Sequence, residues 1–141
     1  MLIAFRQMAN MKIKVMGFGT FDGLHPGHMS FLKQLKQLGE VVYVVVARDV
    51  NVLKIKGRPP RFDEKKRMQE LQKAEIADIV LPGEINDFYK WITIYKPNII
   101  GLGYDQKADI DDLHKKFPDT QIVRLKAFKP EKHKSSLRND Q

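Results

Sequence analysis

Cysteine is absent from this sequence of 141 residues. Disulfide bonds, zinc–thiolate sites and a catalytic thiol are therefore excluded. The absence is typical of proteins of the reducing cytoplasm, and we expect a cytoplasmic location. Long apolar runs are also missing, because the longest, VVYVVVA, is far shorter than the roughly 20 residues that span a bilayer. We expect no membrane partner and, from the first ten residues MLIAFRQMAN, no secretory signal.

Acidic residues are scarce relative to basic ones. The 17 Asp and Glu residues stand against 25 Lys and Arg residues, which gives a formal net charge of +8. Such an excess indicates an anionic partner, and the basic residues concentrate in two segments, 54–67 and 124–138. Phe and Tyr do not alternate with these basic residues, as they do where single-stranded nucleic acids bind. We therefore expect a polyanionic small molecule and no nucleic acid.

Met11 opens the first strand-like segment, so residues 1–10 are interpreted as an N-terminal extension and residues 11–141 as one domain. Within that domain, apolar β-branched segments alternate with amphipathic ones. Strands are predicted at 11–18, 40–48, 77–83, 98–103 and 120–128, helices at 26–38, 63–74, 86–96 and 109–117, and a basic loop at 49–62. The alternation predicts an α/β fold, a single Rossmann-like doubly wound domain with a five-stranded parallel sheet.

Ligands of doubly wound sheets bind beyond the carboxyl ends of the strands. Four segments of this sequence follow those ends, namely the glycine-rich loop after strand one, the basic loop after strand two, GYDQ after strand four and the basic tail after strand five. Because the carboxyl ends of parallel strands share one edge, we expect all four segments to meet at one ligand site.

The glycine-rich loop, GTFDGLHPGH, spans residues 19–28 and contains His25 and His28. A zinc site with Asp22 as third ligand is one interpretation, although two histidines are too few for a closed site and cysteine is absent. A purely structural glycine turn is another. A phosphate site explains more of these residues, because a strand-to-helix turn aims backbone N–H groups and a positive helix end at an anion. Histidine adds hydrogen-bond donors and, when protonated, positive charge.

GTFDGLHPGH resembles the signature of the nucleotidyltransferase superfamily with an HxGH motif, which includes cytidylyltransferases and archaeal FAD synthases. LGYDQ is similar to a segment of archaeal FAD synthases, and SSLR resembles the SSTK phosphate segment of the superfamily. The resemblance implies transfer of a nucleoside monophosphate from a nucleoside triphosphate to a phosphorylated small molecule, with release of pyrophosphate. It favours ATP and FMN, hence FAD synthesis. The alternatives are a cytidylyltransferase that uses CTP and glycerol 3-phosphate or a related alcohol or sugar phosphate, and a non-catalytic nucleotide-binding regulator.

The resemblance also implies roles for individual residues. His25, His28 and Lys54 are expected to be catalytic, and Asp22, Lys56 and Tyr104 to bind the acceptor. The expected nucleotide-binding residues are Gly19, Thr20, Phe21, His25, His28, Gly103, Asp105, Ser135, Ser136 and Arg138. Mg²⁺ or another divalent cation, carried by the triphosphate without protein ligands, is the expected cofactor. Because members of this superfamily often form dimers, a homodimer is expected as well.

Overall fold

The computed structural model describes residues 11–129. The predicted extension 1–10 lies outside this range, as do the tail residues Ser135, Ser136 and Arg138. Within it the strands are β1 (Lys14–Gly19), β2 (Val41–Val46), β3 (Ile79–Pro82), β4 (Ile99–Leu102) and β5 (Gln121–Arg124). The helices are α1 (Pro26–Leu38), α2 (Asp49–Lys56), α3 (Glu64–Ala74), α4 (Lys90–Tyr95) and α5 (Ile110–Lys116). No helix between residues 11 and 129 is long and apolar enough to cross a bilayer.

The five strands form one parallel sheet in the order β3-β2-β1-β4-β5. The chain first builds outward from β1 through β2 to β3, and then returns to the other side of β1 with β4 and β5. This reversal puts the switch point of the sheet between β1 and β4, which is where doubly wound sheets bind ligands. The predicted fold class, strand number and strand direction are confirmed.

Helices cover both faces of the sheet, and alternation along the strands explains why. Val42 and Val44 of β2 pack in one buried cluster with Leu32 and Leu71 from α1 and α3, among others. Tyr43 and Val45 belong to a second cluster on the opposite face, which includes residues of α4 and α5. Because successive strand side chains point to opposite faces, a continuous apolar run such as VVYVVV supplies both cores at once.

Two paired glycines bring α1 close to the switch point. Gly17 of β1 lies opposite Gly101 of β4 in the sheet, and Leu35 of α1 packs over both. A Cβ at Gly17 would lie 2.6 Å from Leu35 Cδ1, and a Cβ at Gly101 would also collide with the Leu35 side chain. The pair of glycines therefore sets the height of α1 above the sheet, and with it the position of the two histidines at the start of that helix.

The basic segment after β2 differs from the prediction, because residues 49–56 of the expected loop form helix α2. Val50, Leu53 and Ile55 of this helix are exposed. The spacing of apolar residues in the sequence therefore does not mark one buried helix face. The helix ends at Gly57, which has a left-handed φ of 75° and donates its N–H to the Leu53 carbonyl at 2.8 Å. Glycine is favoured there because it has no Cβ to strain that conformation. The helix predicted at 86–96 is shorter in the structure, where α4 begins only at Lys90.

Candidate active site

A cavity of about 750 Å³ opens at the carboxyl ends of β1 and β4. Ten of the residues singled out in the sequence line it: Gly19, Thr20, Phe21, Asp22, His25, His28, Lys56, Gly103, Tyr104 and Asp105. Lys54 is the one described member of the predicted set that does not line this cavity. The expectation that the loops after strands one, two and four meet at one edge therefore holds for the described residues.

Phe21 anchors the turn between β1 and α1. It is only 3% exposed, although its φ of 56° is a left-handed value that is uncommon outside glycine. Its ring packs against the rings of His28 and Phe31, with centroid distances of 5.5 and 5.8 Å. Burial of this aromatic ring offsets the strain of the backbone and fixes the turn below the histidines.

His25 and His28 together cap the N-terminus of α1. Nδ1 of His25 accepts hydrogen bonds from the backbone N–H groups of Gly27 at 3.1 Å and His28 at 3.3 Å. Nδ1 of His28 accepts in return from the backbone N–H of His25 at 3.4 Å. This is the reciprocal arrangement of a capping box, with imidazoles in place of Ser and Glu. The two rings stack, with centroids 3.6 Å apart.

The caps determine which ring nitrogens remain for a ligand. A nitrogen that accepts a hydrogen bond carries no proton, so in this arrangement both rings carry their N–H on Nε2. The first-turn amides of Gly27 and His28, which the phosphate interpretation aimed directly at an anion, donate to His25 instead. The helix start therefore presents the Nε2–H of His25 to the cavity rather than these two backbone amides, whereas the Nε2–H of His28 faces the Gly23 backbone.

His28 is neutral near physiological pH. Its half-buried position lowers its pKa below the ordinary value of 6.5, and the neighbouring His25 lowers the pKa further. A hydrogen bond to the Gly23 backbone acts in the opposite direction but does not outweigh these effects. Before a phosphate binds, these effects favour the uncharged form of His28.

Asp22 holds the site loop to the segment that precedes α3. Its carboxylate accepts the backbone N–H groups of Arg61 at 2.7 Å and Phe62 at 2.9 Å, and the Arg61 guanidinium donates to the Asp22 carbonyl. Burial alone would raise the pKa of Asp22, but these backbone hydrogen bonds and the charges of Arg61 and Arg67 lower it. Because both carboxylate oxygens serve the fold, Asp22 orients the loop, and acceptor binding by this residue stays a prediction.

Arg67 of α3 is a structural residue of the site, although the sequence grouped it only with the basic residues of segment 54–67 that were expected to bind an anion. It is 1% exposed. Its guanidinium donates to the Thr20 carbonyl at 2.8 Å, the Phe62 carbonyl at 2.9 Å and the Asp49 carboxylate at 2.6 Å. One buried cation thus connects the loop after β1 with the start of α2. The sequence signal for this role was weak, because Arg67 stands among exposed lysines in DEKKR.

Gln106 connects the end of β1 with the loop after β4. Its side chain accepts the backbone N–H of Gly103 at 3.0 Å and donates to the Phe18 carbonyl at 3.2 Å. Arg124 of β5 donates to the Gly103 carbonyl at 2.8 Å. Tyr104 and Asp105 remain exposed at the cavity. Gly103, Tyr104 and Asp105 were predicted as site residues from the sequence, whereas Gln106, which holds this loop in place, was not.

The two basic segments contribute less charge to the cavity than their composition indicates. Arg61, Arg67 and Arg124 bind protein carbonyls or carboxylates, and Lys66 pairs with Glu70 on α3. From these segments, within residues 11–129, Lys56 and Lys126 are the only basic residues that line the cavity. Fewer basic side chains than the sequence indicated are therefore available to bind a polyanion, because contacts within the protein occupy several of them.

The fold and site define an α/β protein whose ligand edge combines a helix start, two histidines and a lysine around one cavity. The family model described as cytidylyltransferase-like matches residues 16–138. The chain therefore belongs to the cytidylyltransferase-like family, and it is a nucleotidyltransferase.

Similar proteins include several named FAD synthase. The one from Thermoplasma volcanium is 38% identical over 128 residues, which cover 88% of this chain and 89% of that protein. The one from Pyrococcus horikoshii is 39% identical over 134 residues, which cover 89% and 88%. A solved structure described as a lipopolysaccharide core biosynthesis protein from Thermoplasma volcanium superposes with a TM-score of 0.77 at 38% identity, over 84% of this chain and all of that one.

Proposed function

We propose that this protein transfers AMP from ATP to FMN, which forms FAD and pyrophosphate. The observation that carries the proposal is the pair of stacked imidazoles at the start of α1, on the wall of a cavity large enough for a nucleotide. The choice of ATP and FMN is supported by the relatives named FAD synthase, which are 36–39% identical over most of the chain.

In this reaction an oxygen of the FMN phosphate attacks the α-phosphorus of ATP, and the bond to the leaving pyrophosphate breaks. The protein needs no nucleophile of its own, so its contribution is positioning and stabilisation of developing charge. The Nε2–H of His25 donates to an α-phosphate oxygen, and the Nε2–H of His28 does so when it exchanges the Gly23 backbone for the phosphate. Because Nδ1 of His25 accepts two backbone N–H groups, the ring is already oriented before the substrate binds.

Lys56 is the better placed of the two predicted lysines, because it lies against the cavity whereas Lys54 does not line it. We assign Lys56 to the triphosphate and keep Lys54 as the alternative from the sequence. Ser135, Ser136 and Arg138 of the tail remain candidates for the β- and γ-phosphates.

A divalent cation, Mg²⁺ in the first instance, fits the residues present. The Asp22 carboxylate already accepts two backbone N–H groups, while Asp105 is exposed at the cavity. Such a site suits a largely hydrated ion that the triphosphate itself brings and that neutralises its charge. A cytoplasmic location also stays a prediction, which the absence of cysteine supports.

The test uses the full chain with ATP, FMN and MgCl₂, and follows FAD by chromatography and pyrophosphate by a coupled assay. We expect FAD and pyrophosphate in equal amounts. A parallel reaction supplies CTP and glycerol 3-phosphate. Turnover of that pair without formation of FAD would overturn the proposal in favour of a cytidylyltransferase.

A further inference from the structure

A second cavity, of about 480 Å³, lies on the opposite face of the sheet from α1. Its floor includes Val45, Ile92 and Ile100 of the second buried cluster. The two cavities share Phe18, Gly19, Thr20 and Gln106, so they meet at the carboxyl end of β1. The proposed reaction involves two large substrates, and this second cavity adjoins the one that contains the histidines.

The wall of the second cavity is aromatic and apolar. Phe18, Tyr89 and Trp91 contribute rings, and Phe88 and Ile55 lie at its edge. Phe88 is 64% exposed and Ile55 is 78% exposed, which is unfavourable for large apolar side chains unless something covers them. A flat aromatic ligand would stack on such a surface and shield it from water.

Asn51 adds a polar side chain in which only the amide nitrogen has hydrogen-bond partners among the described residues. The residue is 6% exposed and lines the cavity, and its Nδ2 donates to the carbonyls of Glu84 at 3.3 Å and Ile85 at 3.4 Å. These two acceptors fix the orientation of the amide. Within residues 11–129 no N–H or O–H group donates to Oδ1, and no polar side-chain atom there is both fully buried and unpaired. Oδ1 is therefore not fully buried, and it is an acceptor without a donor on a residue that lines the cavity.

We propose that the second cavity binds the ring system of the acceptor and that Oδ1 of Asn51 accepts a hydrogen bond from the imide N–H of that ring. The inference rests on the proposed function, in which the acceptor is a flavin. A flavin has a broad apolar face and, on its pyrimidine edge, one N–H between two carbonyls. The cavity offers aromatic surface for the face and one unpaired acceptor for that N–H.

The placement also agrees with the geometry of phosphoryl transfer. The attacking and leaving oxygens lie roughly in line across the reacting phosphorus. With the ring in the second cavity, the acceptor phosphate reaches the shared edge at Gly19 and Thr20. The pyrophosphate of the ATP bound at the histidines then leaves from the opposite side.

The single tryptophan of the chain provides a direct readout, because Trp91 lines this cavity. The full-length protein is titrated with FMN, with N3-methyl-FMN and with a non-hydrolysable ATP analogue, and Trp91 emission is corrected with free tryptophan amide. We expect saturable quenching by FMN and binding of N3-methyl-FMN that is weaker by about tenfold or more, since the methyl group removes the donor. We expect little change with the ATP analogue alone.

A pair of matched variants tests the same surface in the steady state. Phe88→Ala should raise KM for FMN by about tenfold, as expected for loss of one stacking aromatic, and leave KM for ATP unchanged. Ile94→Ala removes a similarly exposed apolar side chain, 53% exposed, that lines neither cavity. That control should change neither constant, and circular dichroism confirms that both variants fold.

The outcomes separate this inference from the proposed function. If the wild-type protein forms FAD but binds FMN and N3-methyl-FMN equally, and Phe88→Ala keeps the KM of the wild type for FMN, the subsite is wrong and the function stands. If the ATP analogue quenches Trp91 and FMN does not, the nucleotide base occupies this cavity and the inference is overturned. If no FAD forms, the proposed function fails, while quenching by FMN that the N3-methyl group weakens would still support a flavin site here.

Discussion

His25 has two functions that one pair of substitutions can separate. Its Nδ1 caps α1 through the N–H groups of Gly27 and His28, and its Nε2–H is assigned to the α-phosphate. His25→Ala removes both functions, whereas His25→Asn keeps an acceptor at the cap position and removes the distant ring nitrogen. Asn is among the most favourable N-cap residues, whereas Ala is among the least.

The magnitudes follow from the two hydrogen bonds and the proposed donor. Loss of the cap in His25→Ala should lower the free energy of unfolding by about 1 kcal/mol, which corresponds to a decrease in Tm of about 4 °C for a domain of this size. His25→Asn should stay within about 0.5 kcal/mol of the wild type. Both variants should lose about 10²-fold or more in kcat, as expected when one transition-state donor is removed.

The assays are urea unfolding followed by circular dichroism and FAD formation at saturating ATP and FMN. His114→Ala, a substitution of an exposed histidine on α5, serves as control and should alter neither quantity. Wild-type kcat in His25→Asn would refute the role of the ring as a donor. Equal destabilisation of the Asn and Ala variants would refute the capping argument.

Three further predictions concern charge and pH. Burial holds the pKa of His28 below 6.5 in the folded protein, so on acidification the unfolded chain takes up the proton first. The free energy of unfolding should therefore fall as the pH drops below 6.5. His28→Gln should reduce that fall, as measured by urea unfolding at several pH values. Arg67→Met should lower the free energy of unfolding by about 3 kcal/mol, because it leaves three acceptors without their donor. Arg67→Lys should lower it less. A loss below about 1 kcal/mol in Arg67→Met would contradict the structural role of these three hydrogen bonds. Lys56→Ala should raise KM for ATP by about tenfold while Lys54→Ala changes it little; the reverse result would favour the sequence-based choice of Lys54.

The position of the site was predictable because its signals are local. GTFDGLHPGH follows an apolar strand and opens an amphipathic helix, and in a parallel sheet that combination lies at the ligand edge. The helix α2 was not predictable from apolar periodicity, since Val50, Leu53 and Ile55 remain exposed. Its ends did carry a signal, because Asp49 stands in the first turn and Gly57 follows the last.

The sequence by itself determined the succession of the five strands and of every helix but α2, the parallel sheet and the place of the two histidines. These features depend on hydrophobic periodicity and on residues close together in the chain. Tertiary structure alone decided which polar groups serve the fold and which face a ligand. Asp22, Arg67 and Gln106 bind segments distant in sequence, whereas Asn51, which lines a cavity, keeps one oxygen without a donor among the described residues. The physical reason is that a charged or amide side chain can hydrogen-bond many partners equally well. Only the packing of remote segments determines which partner is within reach.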